Sequence, residues 1–148
     1  MEGPEVKLIE CPRDAMQGIR TFIPTDVKVD YLNALLRVGF DTIDIGSFVS
    51  PKAIPQLADT AEVLDRIDIE GSPSKLLVIV ANERGAEAAI KQERVSSLGY
   101  PFSISETFQQ RNTNTSIEGS WSRTATIAEL ARKAGKELVV YISMAFGN

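Results

Sequence analysis

The chain has 148 residues, 43% of them hydrophobic, and a net charge of −4, which indicates one globular domain without an electrostatic footprint for nucleic acid or anionic membranes. It contains one cysteine and no histidine, which excludes an internal disulfide, a Ser-His or Cys-His pair and a zinc site built on imidazole. No apolar run approaches the roughly 18 residues of a membrane span, and the acidic N-terminus lacks a secretory signal, so we expect a cytoplasmic protein.

Strands and helices alternate along the predicted chain. The uninterrupted apolar run from Lys75 to Ala81 is typical of a strand covered on both sides. Thr25 is the expected N-cap of one helix, and Gly39 and Gly135 are expected to end two. Strands are predicted at 6–11, 42–46, 75–81, 100–105 and 137–143, and helices at 26–38, 56–66, 83–92 and 115–134. This order implies right-handed βαβ units and a parallel sheet, either open or part of a barrel.

Polar side chains follow four of the predicted strands. They are Arg13, Asp14 and Gln17; Ser47, Ser50 and Lys52; Asn82, Glu83 and Arg84; and Ser105, Glu106, Gln109 and Asn112. In a (β/α)8 barrel each strand delivers functional residues at its C-terminal end, and no Gly-rich phosphate loop follows the first strand. The sequence therefore predicts an α/β fold, a partial TIM-type barrel of about five parallel strands and four helices.

Several residues have simpler interpretations when they are taken alone. An isolated Arg13-Asp14 dipeptide is most simply a surface ion pair. Cys11 is predicted to be a small buried hydrophobic residue, and Trp121 to pack in the core or between the barrel and a helix. The stretch 106–114 is predicted to be a polar loop, and the spacing of Thr115 and Glu118 predicts a capping box at the next helix.

Two motifs carry a family resemblance. Pro12-Arg-Asp-Ala-Met-Gln17 resembles the Arg-Asp-Gly-x-Gln signature of metal-dependent lyases and aldol-type synthases of the pyruvate-carboxyltransferase superfamily. The segment from Ser47 to Asp59, followed by Glu62-Val-Leu64, resembles the one characteristic of 3-hydroxy-3-methylglutaryl-CoA (HMG-CoA) lyases. The segments around Ser105 and from Tyr141 to Gly147 fit the fourth and fifth strands of that family. The resemblance covers nearly all of this chain but only about the first half of the family's barrel.

The resemblance implies a reaction and roles for several residues. The reaction is retro-aldol cleavage of HMG-CoA to acetyl-CoA and acetoacetate with a divalent cation, Mg²⁺ or Mn²⁺. Asp14 is implied as a metal ligand, and Arg13 as the catalytic residue that stabilises the enolate oxygen of the thioester. Asp44 is expected to orient Arg13. The substrate-binding positions that the resemblance implies are Arg13, Gln17, Asp44, Ser47 and Ser105.

The ligand set that the resemblance implies is incomplete in this chain. The family's two metal-binding histidines, an asparagine ligand and a catalytic cysteine lie beyond residue 148, and Ala15 replaces the usual glycine. We therefore expect residues 1–148 to be the N-terminal portion of a barrel domain that is inactive alone. Open edges of the first and fifth strands are expected to pair with a complementary barrel half or a second copy.

Two other functions stay open at this point. One is a different aldol reaction on an acyl-CoA or 2-oxoacid in the same superfamily, although the segment from Ser47 to Lys52 argues against it. The other is a non-catalytic module that docks through its strand edges. Lys52 is interpreted either as a contact to a CoA phosphate or as a solvated loop residue. The leading interpretation places the complete enzyme in leucine degradation or ketone-body metabolism.

Overall fold

Five strands and six helices make up the computed structural model, which describes residues 6–147. The strands are β1 (Ile9–Glu10), β2 (Thr42–Ser47), β3 (Lys75–Ile79), β4 (Ser97–Ser103) and β5 (Glu137–Ser143). The helices are α1 (Pro12–Gln17), α2 (Thr25–Val38), α3 (Thr60–Arg66), α4 (Glu83–Ile90), α5 (Glu106–Thr113) and α6 (Ile117–Lys133), and a 3-10 turn spans Pro55–Leu57. None of these helices is long and apolar enough to cross a membrane.

The sheet confirms the predicted barrel architecture. Its strands lie in the order β1-β2-β3-β4-β5, and each neighbouring pair is parallel. Consecutive order is the arrangement of a TIM-type barrel, in which each crossover helix returns the chain to the next position. The carboxyl ends of all five strands consequently meet at one edge. The register of β2 against β3 shifts between Asp44 and Gly46, as a β-bulge produces.

Two polar segments that follow strands are helical. The prediction of a loop at 106–114 is wrong, because α5 begins after Ser105, whose Oγ accepts a hydrogen bond from the Phe108 amide at 3.4 Å. The polar segment after β1 forms the short helix α1, with Pro12 in its first turn, a position where proline needs no amide partner. Strand β4 also begins earlier than predicted, at Ser97, so that Pro101 lies within it.

The helix ends follow the predicted glycines more closely than the predicted N-caps. Gly39 and Gly135 have φ values of 82° and 68°, in the left-handed region where glycine costs least. Thr25 is instead the first residue of α2, and its hydroxyl donates to Asp59 Oδ2 at 2.8 Å. The α6 cap lies one residue later than predicted, where Ser116 Oγ accepts from the Gly119 amide at 3.0 Å.

The core lies between the sheet and its helices. Its fully buried members come from both layers and include Leu32, Ile43, Val78, Leu98 and Ile127. Burial of such side chains contributes roughly 1.5–3 kcal/mol each to folding. This packing fixes the strand ends that carry the polar residues.

Two side chains are more exposed than expected. The prediction that Cys11 is buried is wrong, since it is exposed beside edge strand β1. Trp121 is 64% exposed, and its ring packs at a tilt against Phe102 with 5.0 Å between centroids. On the other edge strand, β5, the side chains of Val140 and Ile142 are also exposed. Both edge strands of the sheet thus carry exposed apolar side chains, among them Ile9 of β1 and Ile142 of β5.

Replacing Gly46 by alanine should destabilise the fold. A Cβ at this position would lie 2.5 Å from Thr60 Cγ2. Thr60 cannot rotate away freely, because its hydroxyl donates to Leu57 O at 2.8 Å and accepts from the Ser47 amide at 3.1 Å. We expect a loss of about 1–3 kcal/mol in the free energy of unfolding, measured by urea denaturation. Gly18→Ala is the control, because a Cβ there meets nothing within 4 Å, and an equal loss in both variants would contradict the clash.

Candidate active site

Arg13 is anchored at the carboxyl edge of the sheet by a buried carboxylate. Its Nε lies 3.2 and 3.1 Å from Asp44 Oδ1 and Oδ2, and its Nη2 donates to Oδ2 at 2.6 Å. Asp44 stands in the middle of β2 and is completely buried. Two-point contact between guanidinium and carboxylate fixes the plane of the arginine as well as its position. The position of Asp44 is therefore the one expected of a residue that orients Arg13.

Burial and the charge of the partner residue shift the pKa of Asp44, and likewise the pKa of Arg13, in opposite directions. Burial raises the pKa of Asp44 above its ordinary value, and the hydrogen bonds and charge of Arg13 oppose that rise. For Arg13, burial works against the charged form, but the hydrogen bond and charge of Asp44 outweigh it and raise the pKa. Arg13 is therefore a permanent cation at the edge of the sheet.

The other side of the guanidinium faces outward. Arg13 Nη1 donates to Asp14 Oδ1 at 3.0 Å and to Gln17 Oε1 at 3.1 Å. The Asp14 side chain is 73% exposed, so this contact is screened by solvent and contributes little to stability. A ligand oxygen can replace such contacts at small cost. The arrangement therefore combines a buried anchor with an accessible cationic face.

An open groove of about 520 Å³ runs past this cationic face. Arg13, Asp14 and Gln17 lie on one wall, and Asn112 and Tyr141 also line it. The apolar part of the lining includes Ile54, Ile79 and Phe108. A mainly apolar groove with a few convergent polar groups is typical of a small-molecule site. Tyr141 was not predicted as a site residue, although the alternation of side chains along β5 places it on the same face as Ser143.

The two predicted substrate-binding serines lie outside the groove lining. Ser47 is buried, and its hydroxyl donates to Ile79 O at 3.3 Å and accepts from the Val49 amide at 3.1 Å. Ser105 caps α5. Lys52 is exposed on the loop after β2. The structure therefore brings Arg13, Asp14, Gln17 and Asp44 together, and it uses the two serines to shape the ends of β2 and β4.

The described residues supply an incomplete set of metal ligands. Within 6–147 no group of three His, Cys, Asp or Glu side chains is placed to hold a metal ion. Asp14 offers one exposed carboxylate in the groove, and Mg²⁺ and Mn²⁺ both accept such oxygen ligands. Among the described residues Asp14 could therefore offer a divalent cation a single carboxylate ligand, and a complete coordination shell needs further groups.

Tyr141 should make the stability of the fold sensitive to high pH. Burial, with smaller contributions from Asp44 and Cys11, raises the pKa of Tyr141 from 10.0 to about 12. In the window between these values the folded state retains a proton that the unfolded state releases, so stability should fall as the pH rises through it. Urea denaturation across this window should show the loss. Tyr141→Phe should reduce the pH dependence, and an unchanged slope in this variant would contradict the assignment.

Parallel strands in consecutive order, with an arginine and carboxylates at their carboxyl ends, define part of an α/β barrel enzyme of the TIM type. The chain belongs to the HMGL-like family, whose model matches residues 6–148. It is similar to the mitochondrial hydroxymethylglutaryl-CoA lyase of Mus musculus, with 36% identity over 97% of this chain and 44% of the relative. It is also similar to the cytoplasmic 3-hydroxy-3-methylglutaryl-CoA lyase of Rattus norvegicus, with 34% identity over 96% of this chain and 41% of the relative.

Solved structures give the same result. The HMG-CoA lyase of B. subtilis matches with a TM-score of 0.91 and 34% identity, over 100% of this chain and 50% of that one. An HMG-CoA lyase of A. baumannii, in complex with coenzyme A and 3-methylmalate, matches with a TM-score of 0.89 and 31% identity, over 99% of this chain and 48% of that one. The predicted family and fold are confirmed. The chain spans about half the length of these relatives.

Proposed function

We propose that this chain supplies the Arg13 half of an HMG-CoA lyase active site, as the N-terminal portion of the barrel domain. The reaction is cleavage of HMG-CoA to acetyl-CoA and acetoacetate. The observation that carries the proposal is the arginine clamped by buried Asp44 beside an open groove. The family match over residues 6–148 supports the choice of reaction class.

Arg13 is the proposed catalytic residue. When the carbon-carbon bond breaks, the tertiary alcohol gives its hydroxyl proton to a general base and becomes the ketone of acetoacetate, while the electron pair of the broken bond moves toward the thioester carbonyl. The enolate that results takes up a proton to give acetyl-CoA. A fixed cation near the developing enolate oxygen lowers the barrier. Asp44 is a positioning residue in this proposal, because it holds the guanidinium in place before the reaction begins. Gln17, beside Nη1, is the proposed polar contact to substrate.

Asp14 is the proposed metal ligand in this half of the site. A bound Mg²⁺ or Mn²⁺ would supply a Lewis acid for the substrate oxygens. The exposed carboxylate of Asp14 meets the groove next to Arg13, so it can serve the cation without breaking the buried pair. The remaining ligands would come from groups other than the described side chains.

The proposed substrate is an acyl-CoA thioester. Coenzyme A is bound in the A. baumannii relative, and the apolar side of the groove here, around Ile54 and Phe108, can hold the acyl portion. We propose that Ser47 and Ser105 act indirectly, through the loop conformations they stabilise. The proposed compartment is the cytoplasm, as for the R. norvegicus relative, and the proposed process is leucine degradation or ketone-body formation.

The experiment compares the chain alone with a completed barrel. The purified 148-residue chain and a chimaera that joins it to the second half of the B. subtilis lyase are assayed with HMG-CoA and Mg²⁺ or Mn²⁺ for acetoacetate. We expect no turnover by the chain alone and turnover by the chimaera, and sedimentation should show whether the chain pairs with itself or with the separate second half. Robust turnover by the chain alone would contradict the incomplete ligand set. A folded but inactive chimaera would contradict the proposed reaction.

A further inference from the structure

A buried glutamine holds the loop that continues the groove wall. This loop, residues 18–23, joins α1 to α2 and is called the α1–α2 loop here. Gln56 Nε2 donates to Ile19 O and to Thr21 O, each at 2.9 Å, and its Oε1 accepts from the Ile23 amide at 2.9 Å. The Gln56 side chain is 4% exposed. One side chain thus satisfies three backbone groups of a loop that lacks regular secondary structure.

A buried lysine in turn holds Gln56. Lys28, on α2, is 1% exposed, and its Nζ donates to the main-chain oxygen of Gln56 and, at 2.7 Å, to Asp59 Oδ1. The ammonium also lies 4.2 Å from the centre of the Phe22 ring, which belongs to the α1–α2 loop. A lysine this deeply buried is tolerated because its charge is paired and hydrogen-bonded. Lys28 and Gln56 therefore form one unit that ties the loop to α2 and to the segment after β2.

The α1–α2 loop borders a second groove that joins the first. This outer groove has a volume of about 410 Å³, and Ile19, Phe22 and Gln56 are among the residues that line it. Gln17 and Ile54 line both grooves. Because Gln17 immediately precedes the loop and accepts a hydrogen bond from Arg13, a shift of the loop displaces the wall beside the cationic face.

We propose that Gln56 and Lys28 are positioning residues of the site, which fix the α1–α2 loop and through it the placement of Gln17 beside Arg13. Neither residue touches the first groove with its own polar atoms, so their effect reaches the site through the loop. For ligand binding the inference rests on the proposed function. The ordering of the loop does not depend on it.

The first measurement is hydrogen exchange on the intact 148-residue chain. Gln56→Met and Lys28→Met remove the polar contacts and keep most of the side-chain volume. Lys136→Met is the matched control, because Lys136 Nζ likewise donates to two backbone oxygens, of Gln92 and Val95, at the amino end of β5. We expect amide exchange in residues 13–23 to rise by about tenfold or more in the first two variants and to stay native-like in the control. Exchange in 13–23 no faster than in Lys136→Met would overturn the inference.

The second measurement is the affinity for HMG-CoA, by calorimetry on the same variants. Gln56→Met should weaken binding by about tenfold, and Lys136→Met should leave it within about twofold. Native-like affinity of Gln56→Met would overturn the role of the loop in binding. If the native chain alone does not bind HMG-CoA, the same titrations are run on the chimaera with the B. subtilis second half, and absence of binding there contradicts the proposed substrate. The exchange measurement decides in either case whether Gln56 and Lys28 fix the loop.

Discussion

Asp44→Ala should lower the free energy of unfolding by about 3–5 kcal/mol, because it leaves the Arg13 cation largely buried without its partner. The Arg13 side chain is only 13% exposed, and three of its contacts are to Asp44. Solvent can replace the lost carboxylate only on the side of Arg13 that faces Asp14. Urea denaturation of the purified chain, followed by circular dichroism, measures the loss.

Asp26→Ala is the control for this prediction. Asp26 also pairs with an arginine, Arg66, but its side chain is 79% exposed, and exposed pairs contribute about 0–1 kcal/mol. A double variant, Arg13→Met with Asp44→Leu, should recover part of the stability lost in Asp44→Ala, since no charge is then left unpaired. If Asp44→Ala costs no more than Asp26→Ala, the buried pair does not stabilise this fold.

The barrel order and the Arg13–Asp44 pair were within reach of sequence reasoning. Apolar runs such as Lys75 to Ala81 predict buried strands, and the helices between them force parallel neighbours. Gly39 and Gly135 mark helix ends because few other residues adopt a positive φ. The pair itself spans 31 positions, and only the resemblance linked its two members. Composition and periodicity alone would have left Asp44 as one acidic residue in an otherwise apolar strand.

The missed helix α5 shows the limit of periodicity. Of its residues only Gln109 is buried, so there is no apolar stripe to find. Gln109 instead binds polar partners, accepting from the Ser103 amide and donating to Thr113 Oγ1, each at 2.5 Å. One of these bonds lies within α5 and the other joins the helix to the end of β4, and neither produces the apolar periodicity from which a helix is predicted. The error at Cys11 has a similar origin, because its exposure depends on the place of β1 at the edge of the sheet.

The loop network at Gln56 was also beyond sequence reasoning. Gln56 was predicted as the first residue of a helix, whereas it lies in the 3-10 turn Pro55–Leu57 ahead of α3. Its side chain points away from α3 and toward backbone groups more than 30 positions earlier in the chain. A glutamine at the start of a predicted helix carries no signal for that role. Lys28 donates a hydrogen bond to Gln56. The sequence alone predicts only that Lys28 is a polar residue of a helix.

Arg13→Met in the chimaera with the B. subtilis second half should reduce kcat by about 10²–10³, because removing one preorganised group that stabilises a developing oxyanion costs this much in other enzymes. The Michaelis constant should change less, since the enolate charge develops in the transition state and is absent from bound substrate. Arg37→Met is the control, because Arg37 is exposed on the last turn of α2. Its kcat should stay within about twofold of the parent.

Arg13→Lys separates the charge of Arg13 from its geometry. Lysine keeps a cation but cannot make the two-point contact with Asp44, so it should fold better than Arg13→Met while remaining well below the parent in kcat. If Arg13→Lys had the full turnover of the parent, a positive charge at this position would be sufficient for catalysis. The two-point contact with Asp44 would then make no contribution to kcat. If Arg13→Met kept full turnover in a folded chimaera, Arg13 would be a structural partner of Asp44 only. A large loss in both variants, with Arg37→Met unaffected, would mean that the buried carboxylate serves catalysis by holding the guanidinium still.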